Sequence, residues 1–226
     1  MNVVHLSILE TGTSMNYAPI CLFVYNRLEH TKLTIEALSI NAEAKDSDLY
    51  IFSDGPKTIE HIDTTKKLRA YLKKIKGFKS INIIEESVNK GLSRSVIDGV
   101  SRVLDQSNKV IVIEDDIVTS KYFLKYLNDG LSQYESDESV ASIHAYTYPI
   151  PQELPETFFL KGADCWGWAT WKRAWDNFNP NGQELLSELE ERNLITEFNF
   201  NDSYPYSQML KDQISGKNSR VQTVKN

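Results

Sequence analysis

The run Lys109-Val110-Ile111-Val112-Ile113-Glu114-Asp115-Asp116 decides how the rest of the chain is read. Val110 to Ile113 suit a strand buried on both faces, and the run ends on three carboxylates in a row. Adjacent anions repel each other unless a cation sits beside them. A strand that delivers acids to the rim of a sheet is a way for α/β enzymes to hold a divalent metal against a phosphate. An acidic cap for a helix beginning near Thr119-Ser120 is the competing reading.

On both sides of this run, strand-like and helix-like segments alternate. Ile20 to Tyr25 reads as a strand and Leu28 to Ile40 has helical spacing. Leu49 to Phe52 is a second strand that ends on the turn signal Ser53-Asp54-Gly55-Pro56. A helix over Ile59 to Lys76, a strand over Ser80 to Glu85 and a helix over Leu92 to Leu104 follow. After the acid-tipped strand come a helix over Tyr122 to Leu131 and a fifth strand over Val140 to Ile143. The alternation predicts an α/β, Rossmann-like, mainly parallel sheet with helices on both faces. Ligands of such sheets bind beyond the carboxyl ends of the strands. Those ends carry Tyr25-Asn26-Arg27, Ser53-Asp54-Gly55, Glu86 to Asn89 and Glu114-Asp115-Asp116, which are expected to converge on one cleft.

The 226 residues are 41% hydrophobic, enough for one sizeable core, and the net charge of −6 argues against a general nucleic-acid binder. The lysine-rich stretch from Lys66 to Lys79 keeps Leu68, Leu72 and Ile75 at helical spacing. It reads as a solvated helix face, with peripheral membrane or partner contact as the alternative. Of the two cysteines, Cys21 sits in an apolar run, and no Cys/His spacing fits a zinc site. That usage suggests a reducing, cytoplasmic setting, although a single bridge remains open. No apolar stretch reaches the ~18 residues of a transmembrane helix. Residues 1–17 read as a loose extension without a signal-peptide pattern, and Met15 would serve as a second start.

Each rim residue has a chemical and a plain structural reading. Arg27 can stack on a base or pair with a phosphate, or form a surface salt bridge. Asp54 can accept from a base N–H, or only brace its turn. Asn89-Lys90-Gly91-Leu92-Ser93-Arg94 opens a helix whose start can receive a phosphate, yet it lacks the P-loop pattern, and no Gly-x-Gly-x-x-Gly occurs. Adjacent carboxylates project in different directions, so Glu114, Asp115 and Asp116 cannot share one role. A divalent ion on a diphosphate needs only one or two of them. Trp168, Trp171 and Trp175 fall at helical spacing and read as a core face, while Trp166 can pack or stack on a sugar.

Taken in order, these segments resemble the GT-A glycosyltransferases over roughly residues 18–218. Pro19 to Arg27 looks like the start of the sugar-nucleotide-binding half, Phe52 to Pro56 like its second strand end, and Asn89 to Ser93 like its third landmark. Glu114-Asp115-Asp116 resembles the metal-binding Asp-x-Asp motif in the form used by the N-acetylglucosaminyltransferase I group and its bacterial relatives. Trp166-Gly167-Trp168-Ala169-Thr170-Trp171 resembles the acceptor-side segment of the same group.

The resemblance implies a nucleotide-sugar-binding half at 18–120 and an acceptor-side half at 121–218, followed by a tail at 219–226. It implies a UDP-sugar donor contacted by Arg27, Asp54, Asn89, Lys90, Ser93, Glu114 and Asp115, with Asp54 near the uracil and Asp115 near the ribose. Asp116 would bind Mn²⁺ or Mg²⁺, and Trp166, Gly167 and Trp168 would face the acceptor or sugar. Transfer to a glycan with inversion, in surface-polysaccharide synthesis, would follow. The family pattern continues past Asp212 to Asn218 into a further acid and a tryptophan-rich segment, whereas this sequence reads Ser219 to Asn226 and stops. The acceptor-side half therefore reads as short, by truncation or divergence, and Asp164 and Asp212 become the substitute candidates for the catalytic base. A nucleotide-sugar-binding protein without transfer activity and a sugar nucleotidyltransferase are the competing readings. The second usually carries a glycine-rich turn after the first strand, which Tyr25-Asn26-Arg27-Leu28 lacks.

Overall fold

The computed structural model describes residues 16–149, 151, 153–155 and 157–217. The tail expected at 219–226 and all but Asn16 and Tyr17 of the N-terminal extension lie outside the described residues. The described residues divide into two units. One lies within Met1–Tyr148 and Asp164–Lys172, the other within Pro149–Ala163 and Arg173–Asn226.

The first unit contains a six-stranded sheet: β1 (Ile20–Val24), β2 (Asp48–Ser53), β3 (Ser80–Glu85), β4 (Lys109–Glu114), β5 (Ser142–His144) and β6 (Trp168–Trp171), in the order β3-β2-β1-β4-β6-β5. β3, β2, β1 and β4 run parallel, whereas β6 is antiparallel to β4, and β5 to β6. The fold is thus the α/β, Rossmann-like, mostly parallel sheet that the alternating segments predict.

Both faces are covered because the strands alternate apolar side chains between them. Ile20, Leu22, Leu49, Ile51, Ile111 and Ile113 share one core with helices α1 (Leu28–Ser39), α2 (Ile62–Leu72) and α4 (Phe123–Gln133). On the opposite face α3 (Leu92–Leu104) lies against β1 and β4, burying Val100, Val103 and Leu104. A Cβ on Gly99 of α3 would stand 2.7 Å from the Phe23 ring, so the helix reaches this distance from the sheet only with glycine there. Leu68 and Leu72 are buried, as their spacing predicts.

Three local expectations change. The helix over Ile59 to Lys76 begins as a 3₁₀ turn, Ile59–His61, and its α-helical part ends at Leu72. The fifth strand is shorter than expected and, among the described residues, pairs only with β6. The tryptophan spacing belongs to a strand followed by a one-turn helix, α5 (Lys172–Trp175). A four-residue Trp-Ala-Thr-Trp run cannot separate a period of 3.6 from a period of 2, and pairing along β4 favours the strand. Strand geometry sends Trp168 and Trp171 to opposite faces. Trp171 is buried and donates its Nε1–H to Leu131 O at 3.1 Å, whereas Trp168 is half-buried.

The second unit is helical among the described residues, with α6 (Gly182–Glu191), α7 (Ile195–Phe198) and α8 (Tyr206–Ile214). The Asn181 side chain caps α6 by accepting from Gln183 N and Glu184 N. Trp175 stacks on Phe178 with ring centroids 4.7 Å apart.

Candidate functional site

The chain moves outward from β1 to β2 and β3, then returns to place β4 on the other side of β1. This reversal is the topological switch point, where the carboxyl ends of the strands open a crevice. Arg27 leaves β1 on one side of it, and Asp115 and Asp116 leave β4 on the other. The Arg27 guanidinium bridges both acids: Nη2 donates to Asp115 Oδ1, and Nη1 to Asp116 Oδ2 at 3.0 Å. The Asp115 side chain is only 3% exposed and also accepts from Tyr25 N at 3.4 Å, while its carbonyl accepts from the buried Thr34 hydroxyl at 2.9 Å. Asp116 is 42% exposed, and its Oδ1 accepts no hydrogen bond among the described residues.

Burial pushes the Asp115 carboxyl up, against the Arg27 charge and hydrogen bond that pull it down. Burial also raises Glu114, helped by the charges of Asp116 and Asp115. Arg27 is drawn down by burial and driven up further by its two carboxylates, so the guanidinium is firmly charged. Among the described residues no group of three His, Cys, Asp or Glu side chains converges as a metal cage. The triplet offers one exposed carboxylate, Asp116. That donor set fits Mg²⁺ or Mn²⁺ only where phosphate oxygens and water complete the shell.

At the neighbouring strand ends the organising residue is Asp54. Its buried carboxylate accepts four hydrogen bonds: Oδ1 from Gly55 N (2.8 Å) and Lys90 N (2.9 Å), and Oδ2 from Asn89 Nδ2 (2.9 Å) and Gly91 N (3.0 Å). Asn89 Nδ2 also donates to Gly55 O at 2.9 Å. A Cβ on Gly55 would lie 2.4 Å from Val88 C, so only glycine lets the two loops approach this closely. Asp54, Asn89 and Lys90 are therefore brought together. Lys90 Nζ turns to Glu86 at 2.8 Å and Asp98 at 3.5 Å. Ser93 is exposed in the first turn of α3, whose start carries no side-chain cap. A cavity of about 240 Å³ lies between these loops and α3, with Phe52, Ile84, Ser95 and Arg102 among its lining.

Arg69 is the residue that sequence reading missed. Nε donates to Ser53 Oγ at 3.1 Å, and Nη2 reaches Ser53 O, Asp54 O and Glu86 O at 3.0, 3.1 and 2.7 Å. It clamps the carboxyl ends of β2 and β3 together. The available signal was one arginine directly after buried Leu68 in a run otherwise of lysines, since only a planar fork can serve several acceptors at once. Tyr25 does similar work: its hydroxyl accepts from Lys57 N at 2.8 Å and lies 2.7 Å from His61 Nδ1.

The other side of the crevice is built by β5 and β6. Val112 pairs with Trp168, and Trp168 with His144, so the residues just before β6 stand level with the end of β4. Asp164 N donates to His144 Nδ1 at 3.3 Å, and Asp164 Oδ1 accepts from Trp166 N at 3.0 Å. The Cys165 thiol is pushed up by burial and then by Glu114 and Asp164. Both cysteines are free thiols. Asp212 lies in α8 of the second unit, where its Oδ1 accepts from Gln208 Nε2 at 3.0 Å.

No protein-family model matches the chain, and no curated protein matches it. Among solved structures, a mannosyltransferase from Pyrobaculum calidifontis in complex with GDP-Man and Mn²⁺ aligns over 56% of this chain at 11% identity, with a TM-score of 0.37. TarS from S. aureus aligns over 78% at 13% identity and a TM-score of 0.42. The 4-diphosphocytidyl-2C-methyl-D-erythritol synthase from Anaerococcus prevotii aligns over 91% at 12% identity and 0.41, covering 86% of that enzyme. The chain spans only 35% of the mannosyltransferase and 49% of TarS. No helix among the described residues is long and apolar enough to cross a membrane.

Proposed function

We propose that the chain is a metal-assisted GT-A-type glycosyltransferase with a UDP-sugar as donor and a glycan as acceptor. The observation that carries this reading is the Arg27 bridge to Asp115 and Asp116 at the switch point of the sheet. It puts a fixed cation and an exposed carboxylate where a nucleoside diphosphate would enter.

In this reading Arg27, Lys90 and the start of α3 at Ser93 receive the diphosphate, and Asp115 and Glu114 line the ribose and sugar side. Asp54 works indirectly, because its four hydrogen bonds are spent on holding Gly55 and Asn89 to Gly91 against the uracil. Asp116 would hold Mn²⁺ or Mg²⁺, which when bound offsets the charge on the departing diphosphate. An acceptor hydroxyl attacks the anomeric carbon from the face opposite UDP. A C–O bond forms as the bond to the diphosphate oxygen breaks, UDP keeps the electron pair, and a base removes the hydroxyl proton. Asp164 is the candidate base of the first unit and Asp212 that of the second. Trp166, Gly167 and Trp168 lie on the acceptor side. The setting is cytoplasmic synthesis of surface polysaccharide.

A UDP-sugar-binding protein without transfer is the rival, favoured by the loss of one Asp164 oxygen to Trp166 N–H. Release of free UDP from a panel of UDP-sugars, with Mn²⁺ and a mixed glycan acceptor pool, tests the proposal. Mn²⁺-dependent UDP release that vanishes in Asp116→Ala supports it. Tight UDP-sugar binding without UDP release favours the rival, and pyrophosphate release from UTP and a sugar phosphate points to a nucleotidyltransferase.

A further inference from the structure

Beside the acid triplet, three aromatic rings from two loops form one exposed cluster. Tyr146, Tyr148 and Trp166 are 37%, 59% and 43% exposed. Their centroids lie 4.6 Å apart for Tyr146 and Trp166, 5.8 Å for Tyr148 and Trp166, and 5.2 Å for the two tyrosines. Large rings left in solvent while in mutual contact mark a surface that takes a ligand.

The cluster is built into the sheet. The loop after β5 and the loop before β6 are joined by Ala145 N donating to Gly167 O at 3.0 Å and by the Asp164–His144 hydrogen bond. Gly167 has φ +80°, and a Cβ there would meet the Phe123 ring at 2.8 Å, so the turn that presents Trp166 admits little variation. Val112 pairs with Trp168 and Trp168 with His144, which sets both loops level with the end of β4.

The chemistry of the patch narrows its occupant. A cage for a quaternary ammonium holds its ring faces apart around the cation, whereas these rings, inclined to one another by 82°, 57° and 41°, are in mutual contact and leave no gap between them for a cation. Among the described residues the margin carries the Asp164 carboxylate, whose Oδ1 accepts from Trp166 N and whose Oδ2 accepts nothing, and the register of β4 with β6 brings the acid end of β4 level with Trp166. Ionised carboxylates only accept hydrogen bonds. An apolar face bordered by acceptors suits a pyranose, which has a C–H face and a rim of hydroxyl donors, and it repels acidic sugars. We infer that Tyr146, Tyr148 and Trp166 form the stacking platform for a neutral pyranose of the acceptor. This rests on the transferase reading above and adds the acceptor's charge class and the residues that select it.

Saturation-transfer NMR and intrinsic fluorescence on the full chain test the inference, using maltotriose, cellotriose, chitotriose, glucuronic acid and choline as probes, with UDP–Mn²⁺ binding measured in parallel. The expected result is saturation of the ring C–H protons of at least one neutral trisaccharide. Its affinity should fall about tenfold in Trp166→Ala and in Tyr148→Ser, and be largely kept in Trp166→Phe. Tyr148→Ser alters the most exposed ring, so a folding defect in Trp166→Ala leaves the test intact. Equal binding by wild type and variants, binding of choline or glucuronic acid in preference, or no neutral saccharide bound while UDP–Mn²⁺ binds, overturns the platform and leaves the donor site standing. Loss of UDP–Mn²⁺ binding by the wild type overturns the transferase reading instead.

Discussion

Arg27 and Asp116 form an ion pair across the switch point, with Nη1 3.0 Å from Oδ2, while the same guanidinium is hydrogen-bonded to buried Asp115. The two acids are therefore not equivalent. Asp115 has both oxygens held, by Arg27 and by Tyr25 N, and Asp116 is the one with an oxygen to spare.

Arg27→Ala leaves the Asp115 carboxylate buried without its cation. Half-exposure of Arg27 tempers the cost, so a stability loss of about 1–3 kcal/mol is expected by urea denaturation. Adding Asp115→Asn removes the stranded charge, and the double variant should recover part of that loss. Simple additivity of the two losses would mean that the pair is not coupled.

Asp54→Ala would orphan the amides of Gly55, Lys90 and Gly91 together. A destabilisation of about 2–4 kcal/mol is expected, with hydrogen-exchange protection lost first at Lys90 and Gly91. Unchanged protection there would separate Asp54 from the order of that loop.

Arg69→Lys keeps the charge and loses the fork. One ammonium cannot replace four contacts spread over Ser53, Asp54 and Glu86. The substitution should cost about 1–2 kcal/mol and, under the proposed function, weaken UDP binding by loosening the ends of β2 and β3. Wild-type stability in Arg69→Lys would show that charge alone suffices.

His144 gives a pH signature. Burial lowers its pKa in the fold, against the nearby Asp164, so the folded protein holds it neutral. The unfolded chain takes up the proton near pH 6.5, and the folded chain only at lower pH. The stability from neutral His144 is therefore full above about pH 6.5 and is lost as pH falls through the lowered folded value. Thermal melts from pH 7.5 to 5 should show wild type losing stability relative to His144→Gln. Parallel curves would contradict this.

Long-range layout was legible because it rests on period and order. Val110 to Ile113 and Ile20 to Val24 read as buried parallel strands, and their ends converge at the switch point. Short elements were not, because four residues at Trp168 to Trp171 satisfy either period until a partner strand is known. Side-chain roles were legible only as residue types. Asp54 is an acid after a strand in the sequence, and only the fold shows its oxygens consumed by loop amides. Arg69 was hidden among lysines for the same reason, since its acceptors come from two segments distant in sequence.

Isothermal titration of UDP into wild type and Asp116→Ala, each with and without Mn²⁺, is the most direct measurement. Wild type should bind UDP at least tenfold more tightly with Mn²⁺, an increment of about 1.4 kcal/mol or more, and Asp116→Ala should lose that increment while keeping its fold. Equal Mn²⁺ enhancement in Asp116→Ala, or no UDP binding by wild type under either condition, would contradict a donor site built on Arg27, Asp115 and Asp116.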